Sequence, residues 1–478
     1  MPESLLTKAD MRLCAVLAVL FGVVYAILSR AALHAFPFSG DEYSTVLQAE
    51  IFARGAMKVP APAHAALFSV DHVVIDDWVR SKYPPGTSAL LALGFLVHAP
   101  WLVAPIEATV TLFLLAYVAR AMFGDRAALV TVIVAGASPL FIFHAACFYS
   151  HAPVTMWLAT ALAALVAHDR DPRRLWLLVA GAAIGCAFLT RPLEAVLFSA
   201  SLLALRDVRV LAWIALGAIP VAALMFAYQK VLFGSPFTDG YAAYMPTFRV
   251  LYPGEGAHAA MSLSRIIDPD EQWDHLKVVC AFFVAWGIPG AAAVAIIGVP
   301  TRPRAALRVR DALVVLVLLM AAALVFTHTD ADDGARPRYL TSMLFAVALF
   351  AGPGWLTIKG AISPAVPRSW TNAAGLACVA LGILSFASFL DVRLAALRVR
   401  EGLFDEVEAR GLHDAVVVVH AEYPTRYTRN GSTFDGSVLY VRSGIATDAE
   451  IASWFPGRTI YEATEGRTWS IRPVVPAS

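Results

Sequence analysis

Long apolar runs broken by short polar connectors fill the first 390 positions, and their lengths are those of membrane-crossing helices. The first covers residues 13–28 and is preceded by Lys8 and Arg12; it is expected to remain as an uncleaved span. Further runs cover 101–118, 127–143, 152–167, 175–189, 195–205, 210–226, 278–299, 312–326, 340–350 and 373–390. Together they predict about eleven crossings. The apolar piece 87–97, after Pro84 and Pro85, is too short to span and predicts a juxtamembrane or re-entrant helix.

Positive charges give the orientation. With the N-terminus inside, every connector assigned to the inner side holds Lys or Arg, among them Arg120 and Arg126, Arg173 and Arg174, Arg206 and Arg209, and Lys359. The connector 143–151, assigned to the outer side, holds neither. The first outer segment, 30–98, is long and mixed, with an amphipathic piece at 43–53 and then a loop carrying Asp71, Asp76 and Asp77.

From residue 391 the pattern changes. Residues 393–412 read as helix, 414–420 and 437–443 as strands, and 447–455 as a helix opened by Thr447; RTIYEAT and TWSIRPV alternate as two more strands. Residues 391–478 are thus expected to form a small soluble α/β domain, and 1–390 the membrane module. An odd number of crossings places that domain on the far side from the N-terminus. Asn430-Gly431-Ser432 matches a glycosylation sequon.

Composition agrees with a mainly α, polytopic membrane helix bundle. Of 478 residues, 59% are hydrophobic and 15% charged, and the mean hydropathy is +0.66. A soluble domain carries about one quarter charged residues. The formal net charge of +1, with no basic tract, excludes nucleic acid as a partner. The five cysteines lie in or beside apolar segments, where they read as small packing residues and not as a disulfide framework or zinc site.

The same orientation gathers chemistry-bearing residues at the outer ends of the spans, including Asp41, Glu42, Lys82, His144, His151, Arg191, Glu194, Arg336 and Arg338. Each has a plainer reading. Asp41 and Glu42, in FPFSGDEYS, either serve chemistry or solvate a loop. Lys82 and Arg191 either meet a ligand or snorkel to lipid phosphates. Tyr83 and Tyr339 stand where interfacial aromatic belts form. His144 and His151 are seven apart, which does not fit a zinc-binding helix. Asp330, Asp332 and Asp333 either face water or hold a divalent cation.

Taken in order, SGDEYS, KYPPG, FGDRAALVTVIVAGASPLFIFHAACFYSHAP, FLTRPLEA, FGSPFTDGY and GARPRYL resemble the bacterial membrane glycosyltransferases of the GT-C type. That group includes dolichyl-phosphate-mannose protein mannosyltransferases, aminoarabinose transferases of lipid A and galacturonosyltransferases, and the resemblance covers residues 10–350. It implies a bacterial cytoplasmic-membrane enzyme that moves a sugar from a polyprenyl-phosphate donor to a glycan, lipid or protein hydroxyl at the outer face, with inversion. Asp41 is then the expected base, with Glu42 orienting it, binding the acceptor or helping to hold a cation. Lys82, Arg191, Arg336 and Arg338 are expected to meet the donor phosphate, and Tyr83, His151 and Tyr339 to contact substrate. A divalent cation, Mg or Mn, is possible in such a site. Because 144–153 holds no Asp or Glu, unlike the second outer loop of some relatives, a metal-independent mechanism is expected. The other classes compatible with the chain are a transporter or flippase, and a non-catalytic scaffold, for polyprenyl-linked glycans. A transporter is expected to show mid-span charges and half-chain repeats, whereas the charges here fall almost only at the outer ends of the spans and no half-chain repeat is seen.

Overall fold

The computed structural model describes residues 3–251, 269–281, 287–303, 308–326 and 341–474. Helices dominate: α1 (Glu3–Ile27), α2 (Gly40–Ala53), α3 (Pro85–Leu96), α4 (Val103–Phe123), α5 (Asp125–Gly136), α6 (Pro139–His144), α7 (His151–Arg170), α8 (Arg174–Thr190), α9 (Pro192–Ser201), α10 (Val208–Phe233), α11 (Gly240–Leu251), α12 (Pro269–Ala281), α13 (Ala291–Gly298), α14 (Val309–Phe326), α15 (Thr341–Ile362), α16 (Arg368–Ala409) and α17 (Asp448–Trp454). Strands β1 (Val59–Pro60), β2 (Val73–Ile75) and β3 (Trp78–Ser81) form one small sheet, and β4 (Ala415–His420), β5 (Val438–Arg442), β6 (Thr459–Thr464) and β7 (Ser470–Pro473) another.

Among the described residues, six helices are long and apolar enough to cross a membrane: Asp10–Ala32, Pro100–Phe123, His151–Arg170, Val208–Phe233, Thr341–Ile362 and Arg368–Ala409. The protein is a multi-pass integral membrane helix bundle with a small mixed sheet near its C-terminus. The short apolar helix after the double proline is present as α3, with Pro85 in its first turn.

Contacts divide the chain into two compact units: residues 1–32, 101–225 and 260–390 in one, and 33–100, 226–259 and 391–478 in the other. Residues 33–100 thus cluster with 391–478. The boundary at 390/391 falls inside the single helix α16, because nothing in 368–409 breaks helical geometry.

In the first unit, the run 127–143 is not one helix. Pro139 lacks an amide hydrogen and disfavours helical backbone at Ser138, which is extended at φ −66° and ψ 126°, so α5 ends at Gly136 and α6 restarts at Pro139. The carbonyl of Gly136 accepts a 2.6 Å hydrogen bond from the fully buried Tyr25 hydroxyl of α1. In an apolar setting both groups require such a partner.

In the second unit, the larger sheet has the order β5-β4-β6-β7, with β4 parallel to β5 and β6, and β6 antiparallel to β7. Alternation along β4 divides its valines between two cores. Val416 and Val418 pack with Leu439, Val441, Ile451 and Ile460. Val417 and Val419 pack with Leu403 and Val407 of α16 and with Trp469 and Ile471. The first of these cores also contains Leu67 and Phe68, from a short helical turn in the segment 33–100. Burying each is worth about 1.5–3 kcal/mol. This is the physical reason that 33–100 groups with the C-terminal sheet. The sequon asparagine Asn430 is buried, its Nδ2 donating to the Tyr440 carbonyl at 2.9 Å and its Oδ1 accepting from the Tyr440 amide at 3.0 Å. It is a structural residue that extends the edge of β5.

Candidate active site

The FPFSGDEYS stretch folds into the start of α2. Ser39 is its N-cap: the Ser39 Oγ accepts from the Glu42 amide at 3.2 Å, and the Ser39 amide donates to Glu42 Oε2 at 3.0 Å. This reciprocal capping box satisfies donors that no helical carbonyl can reach. The adjacent carboxylates therefore have different settings. The Glu42 side chain is 1% exposed and lies 3.6 Å from Arg393 Nη2, while that of Asp41 is 23% exposed. Asp41 sits in the first turn, where the helix dipole favours a carboxylate.

Tyr83 donates its hydroxyl to Asp41 Oδ1, and His72 Nε2 lies 3.5 Å from the same oxygen. His72 adopts left-handed backbone at φ 65°. Its turn approaches α2 so closely that a Cβ on Gly40 would lie 2.7 Å from Asp71 Cβ and 3.1 Å from His72 Cδ2. Glycine at position 40 is thus what lets histidine reach the carboxylate.

Lys82 and Tyr83 link the end of β3 to the start of α3. The Lys82 amide donates to the His72 carbonyl at 3.2 Å, and the Tyr83 amide to Ser81 Oγ at 3.0 Å. The Lys82 ammonium, 9% exposed, lies over three aromatic rings: Tyr241 at 4.7 Å, Tyr244 at 4.8 Å and Tyr83 at 5.2 Å. Each such face attracts a cation by its quadrupole. Tyr241 and Tyr244 come from α11, which reaches Lys82 because residue 240 has no side chain; a Cβ there would lie 1.9 Å from the Lys82 carbonyl oxygen. Burial raises the Tyr244 phenol well above its ordinary pKa, so it is neutral at physiological pH. A carboxylate and an ammonium thus share one aromatic wall, with Tyr83 in contact with both.

The remaining sequence candidates belong to the first unit or lie outside the described residues. In the first unit, His144 and His151 have ring centroids 4.3 Å apart, both 1% exposed. They meet despite the seven-residue spacing because the chain turns between α6 and α7. Arg191 is held extended between α8 and α9 by Pro192; it donates to Glu194, and through Nη1 to Ser150 Oγ at 2.9 Å. Arg336, Arg338, Tyr339 and the acidic residues 330, 332 and 333 lie outside the described residues.

Among the described residues no three His, Cys, Asp or Glu side chains converge as a metal donor set. Asp41 has one histidine beside it, and the Glu42 oxygen is turned to its own helix cap. These residues do not fit a divalent-cation cradle.

His72 and Tyr244 lie outside the stretches that the sequence singles out, whereas Gly40 lies within FPFSGDEYS and Gly240 and Tyr241 close FGSPFTDGY, with no role assigned to them there. The Ser39-x-x-Glu42 spacing was a readable capping signal. Nothing local marks His72 or Tyr244, which arrive from distant segments.

Residues 82–227 match the family model of dolichyl-phosphate-mannose-protein mannosyltransferase. No curated protein sequence matches the chain. Among solved structures, the chain is similar to ArnT from Cupriavidus metallidurans bound to undecaprenyl phosphate, at 14% identity and TM-score 0.57, over 96% of this chain and 98% of that one. It is also similar to the archaeal oligosaccharyltransferase AglB from Archaeoglobus fulgidus in complex with an inhibitory peptide and a dolichol-phosphate, at 11% identity and TM-score 0.55, over 94% of this chain and 69% of that one. The Archaeoglobus fulgidus oligosaccharyltransferase in complex with Zn and sulfate aligns at 11% identity and TM-score 0.53, over 94% and 67%. The chain is a multi-pass membrane protein with a fold like that of ArnT, and its residues 82–227 are similar to the dolichyl-phosphate-mannose-protein mannosyltransferase family.

Proposed function

We propose that the protein transfers a sugar from a polyprenyl-phosphate donor to an acceptor hydroxyl at the outer face of the cytoplasmic membrane, with inversion at the anomeric carbon. The observation that carries this reading is the pairing of Asp41 with Lys82 through Tyr83. A base for the acceptor and a cation for the leaving group stand on one wall. Further support comes from the undecaprenyl phosphate bound to ArnT and the dolichol-phosphate bound to AglB.

In the reaction, the acceptor oxygen forms its bond to the anomeric carbon as its proton passes to the Asp41 carboxylate. The bond from that carbon to the phosphate oxygen breaks, and the polyprenyl phosphate leaves with the electron pair. Lys82 meets the charge that builds on it, leaving its aromatic cage for a stronger charge-assisted contact. The Tyr83 hydroxyl fixes one oxygen of Asp41, which orients the other. A positioned base of this kind is worth about 10²–10⁴ in rate. The roles of Arg191, Arg336 and Arg338 at the phosphate, and of His151 and Tyr339 at substrate, belong to the same proposal; Lys82 carries its weight.

The test is transfer by purified protein from a panel of radiolabelled polyprenyl-phosphate sugars into a membrane glycolipid extract, wild type against Asp41→Asn. Label moving only with the wild type supports the reading and names the donor. Saturable prenyl-phosphate binding by both proteins with no transfer from any donor would replace it with a carrier.

A further inference from the structure

Residues 36–38 lead directly into the α2 cap that carries Asp41, and the carbonyls of residues 37 and 38 have no helical donor to meet. The donors come from the C-terminal region of the chain. Arg429, in the connection between β4 and β5, donates through Nη1 to the Pro37 carbonyl and through Nη2 to the Phe38 carbonyl at 2.9 Å, and its guanidinium lies 4.7 Å from the Phe36 ring. Arg400 of α16 also donates to the Phe38 carbonyl and lies 3.6 Å from the Phe38 ring. Arg393, about two helical turns earlier on the same face of α16, lies 3.4 Å from that same ring and 3.6 Å from Glu42 Oε2. Behind the cap, the Tyr43 hydroxyl donates to the Asn430 carbonyl at 2.6 Å and accepts from the Asn430 amide at 3.0 Å.

We propose that Arg429, assisted by Arg400, is a positioning residue for the reaction: it fixes the backbone of residues 36–38, and through the Ser39–Glu42 cap the placement of Asp41 against Tyr83 and His72. The C-terminal sheet is then the part of the enzyme that anchors the base. This rests on the assignment of Asp41 above.

Three features favour this over simple packing. Arg429 addresses two successive carbonyls, which suits a planar fork and not a point charge or an apolar side chain. Burial pushes its pKa down only to about 10, so it is charged at neutral pH and its hydrogen bonds are charge-assisted. The held segment also leads through the Ser39 cap to Asp41, three residues on, where a displacement of about 1 Å costs on the order of 10² in rate.

The experiment uses the full-length protein in detergent. Hydrogen–deuterium exchange is followed in peptides covering 36–46 and 415–420, beside transfer from a radiolabelled undecaprenyl-phosphate hexose. Arg429→Gln is expected to speed exchange in 36–46 while 415–420 stays protected, and to lower kcat about 10–100-fold with the donor KM within about twofold. Arg429→Lys is expected to recover part of the kcat loss. Unchanged exchange in 36–46 for both variants would overturn the proposal. If both variants lose protection in 415–420, Arg400→Lys decides: a lower kcat at unchanged KM supports the clamp, and an unchanged kcat overturns it. Asp41→Asn is run in parallel. Full transfer by that variant defeats the base assignment alone, since the exchange of 36–46 still reports on the clamp.

Discussion

Glu42 Oε2 is held 3.0 Å from the amide of Ser39, three residues earlier, and this turns it away from its neighbour Asp41. Two carboxylates that are adjacent in sequence thus have separate work: one closes a helix and pairs with Arg393, the other faces Tyr83 and His72. Glu42→Ala removes the cap acceptor and leaves Arg393 beside an emptied buried position. Loss of one partner from a buried pair costs about 3–5 kcal/mol. A clear fall in the detergent unfolding midpoint is expected, with a smaller fall for Glu42→Gln, which keeps the cap.

Asp41→Asn keeps the shape of the helix start and a partner for the Tyr83 hydroxyl, but removes the proton acceptor. Transfer is expected to drop at least about 100-fold. Undecaprenyl phosphate binding and the unfolding midpoint should stay near wild type. An active Asp41→Asn protein would remove this residue as the base.

Lys82→Met retains length and apolar contact with the tyrosine rings and deletes the charge. Undecaprenyl phosphate affinity is expected to fall about tenfold or more, the range of a lost charge-assisted hydrogen bond of about 1.5–3 kcal/mol. Binding unchanged in Lys82→Met would move the phosphate elsewhere.

Gly240→Ala places a methyl group 1.9 Å from the Lys82 carbonyl oxygen, so α11 must shift and carry Tyr241 and Tyr244 with it. A destabilisation of about 1–3 kcal/mol is expected. Prenyl-phosphate affinity should change together with it. The same substitution at Gly234, where no atom lies within 4 Å of the added carbon but φ is +81°, costs only backbone strain and serves as the control.

Asp76 receives two 2.7 Å hydrogen bonds from Arg80, and these hold its carboxyl below the ordinary value. Since the folded pKa is the lower one, the stabilisation is present above the unfolded value of about 3.9 and is lost as pH falls through the folded value. Asp76 is half exposed, which limits the effect to about 1 kcal/mol. Asp76→Asn should flatten the acid limb of the unfolding midpoint measured between pH 7 and pH 3.

The order of apolar runs was sufficient to read a multi-pass helical bundle, because each buried backbone in lipid must bond within its own segment. Alternation was likewise sufficient for β4 to β7, and the double proline for the start of α3. These features are local, and sequence periodicity reports local geometry directly. The break at Ser138-Pro139 was equally local and was masked by the continuous apolarity of 127–143.

The sequence by itself determined the membrane class and the strands of the C-terminal sheet, and it marked FPFSGDEYS as a candidate. Only the tertiary structure decided which of its two carboxylates faces the site, that His72 and the tyrosines of α11 stand beside it, and that arginines about 350–390 positions later hold its backbone. The reason is physical: a cap or a span is fixed by neighbours in the chain, whereas a site is fixed by close approaches between distant segments, here permitted by glycine at 40 and 240 and sealed by Leu67 and Phe68 on the C-terminal sheet.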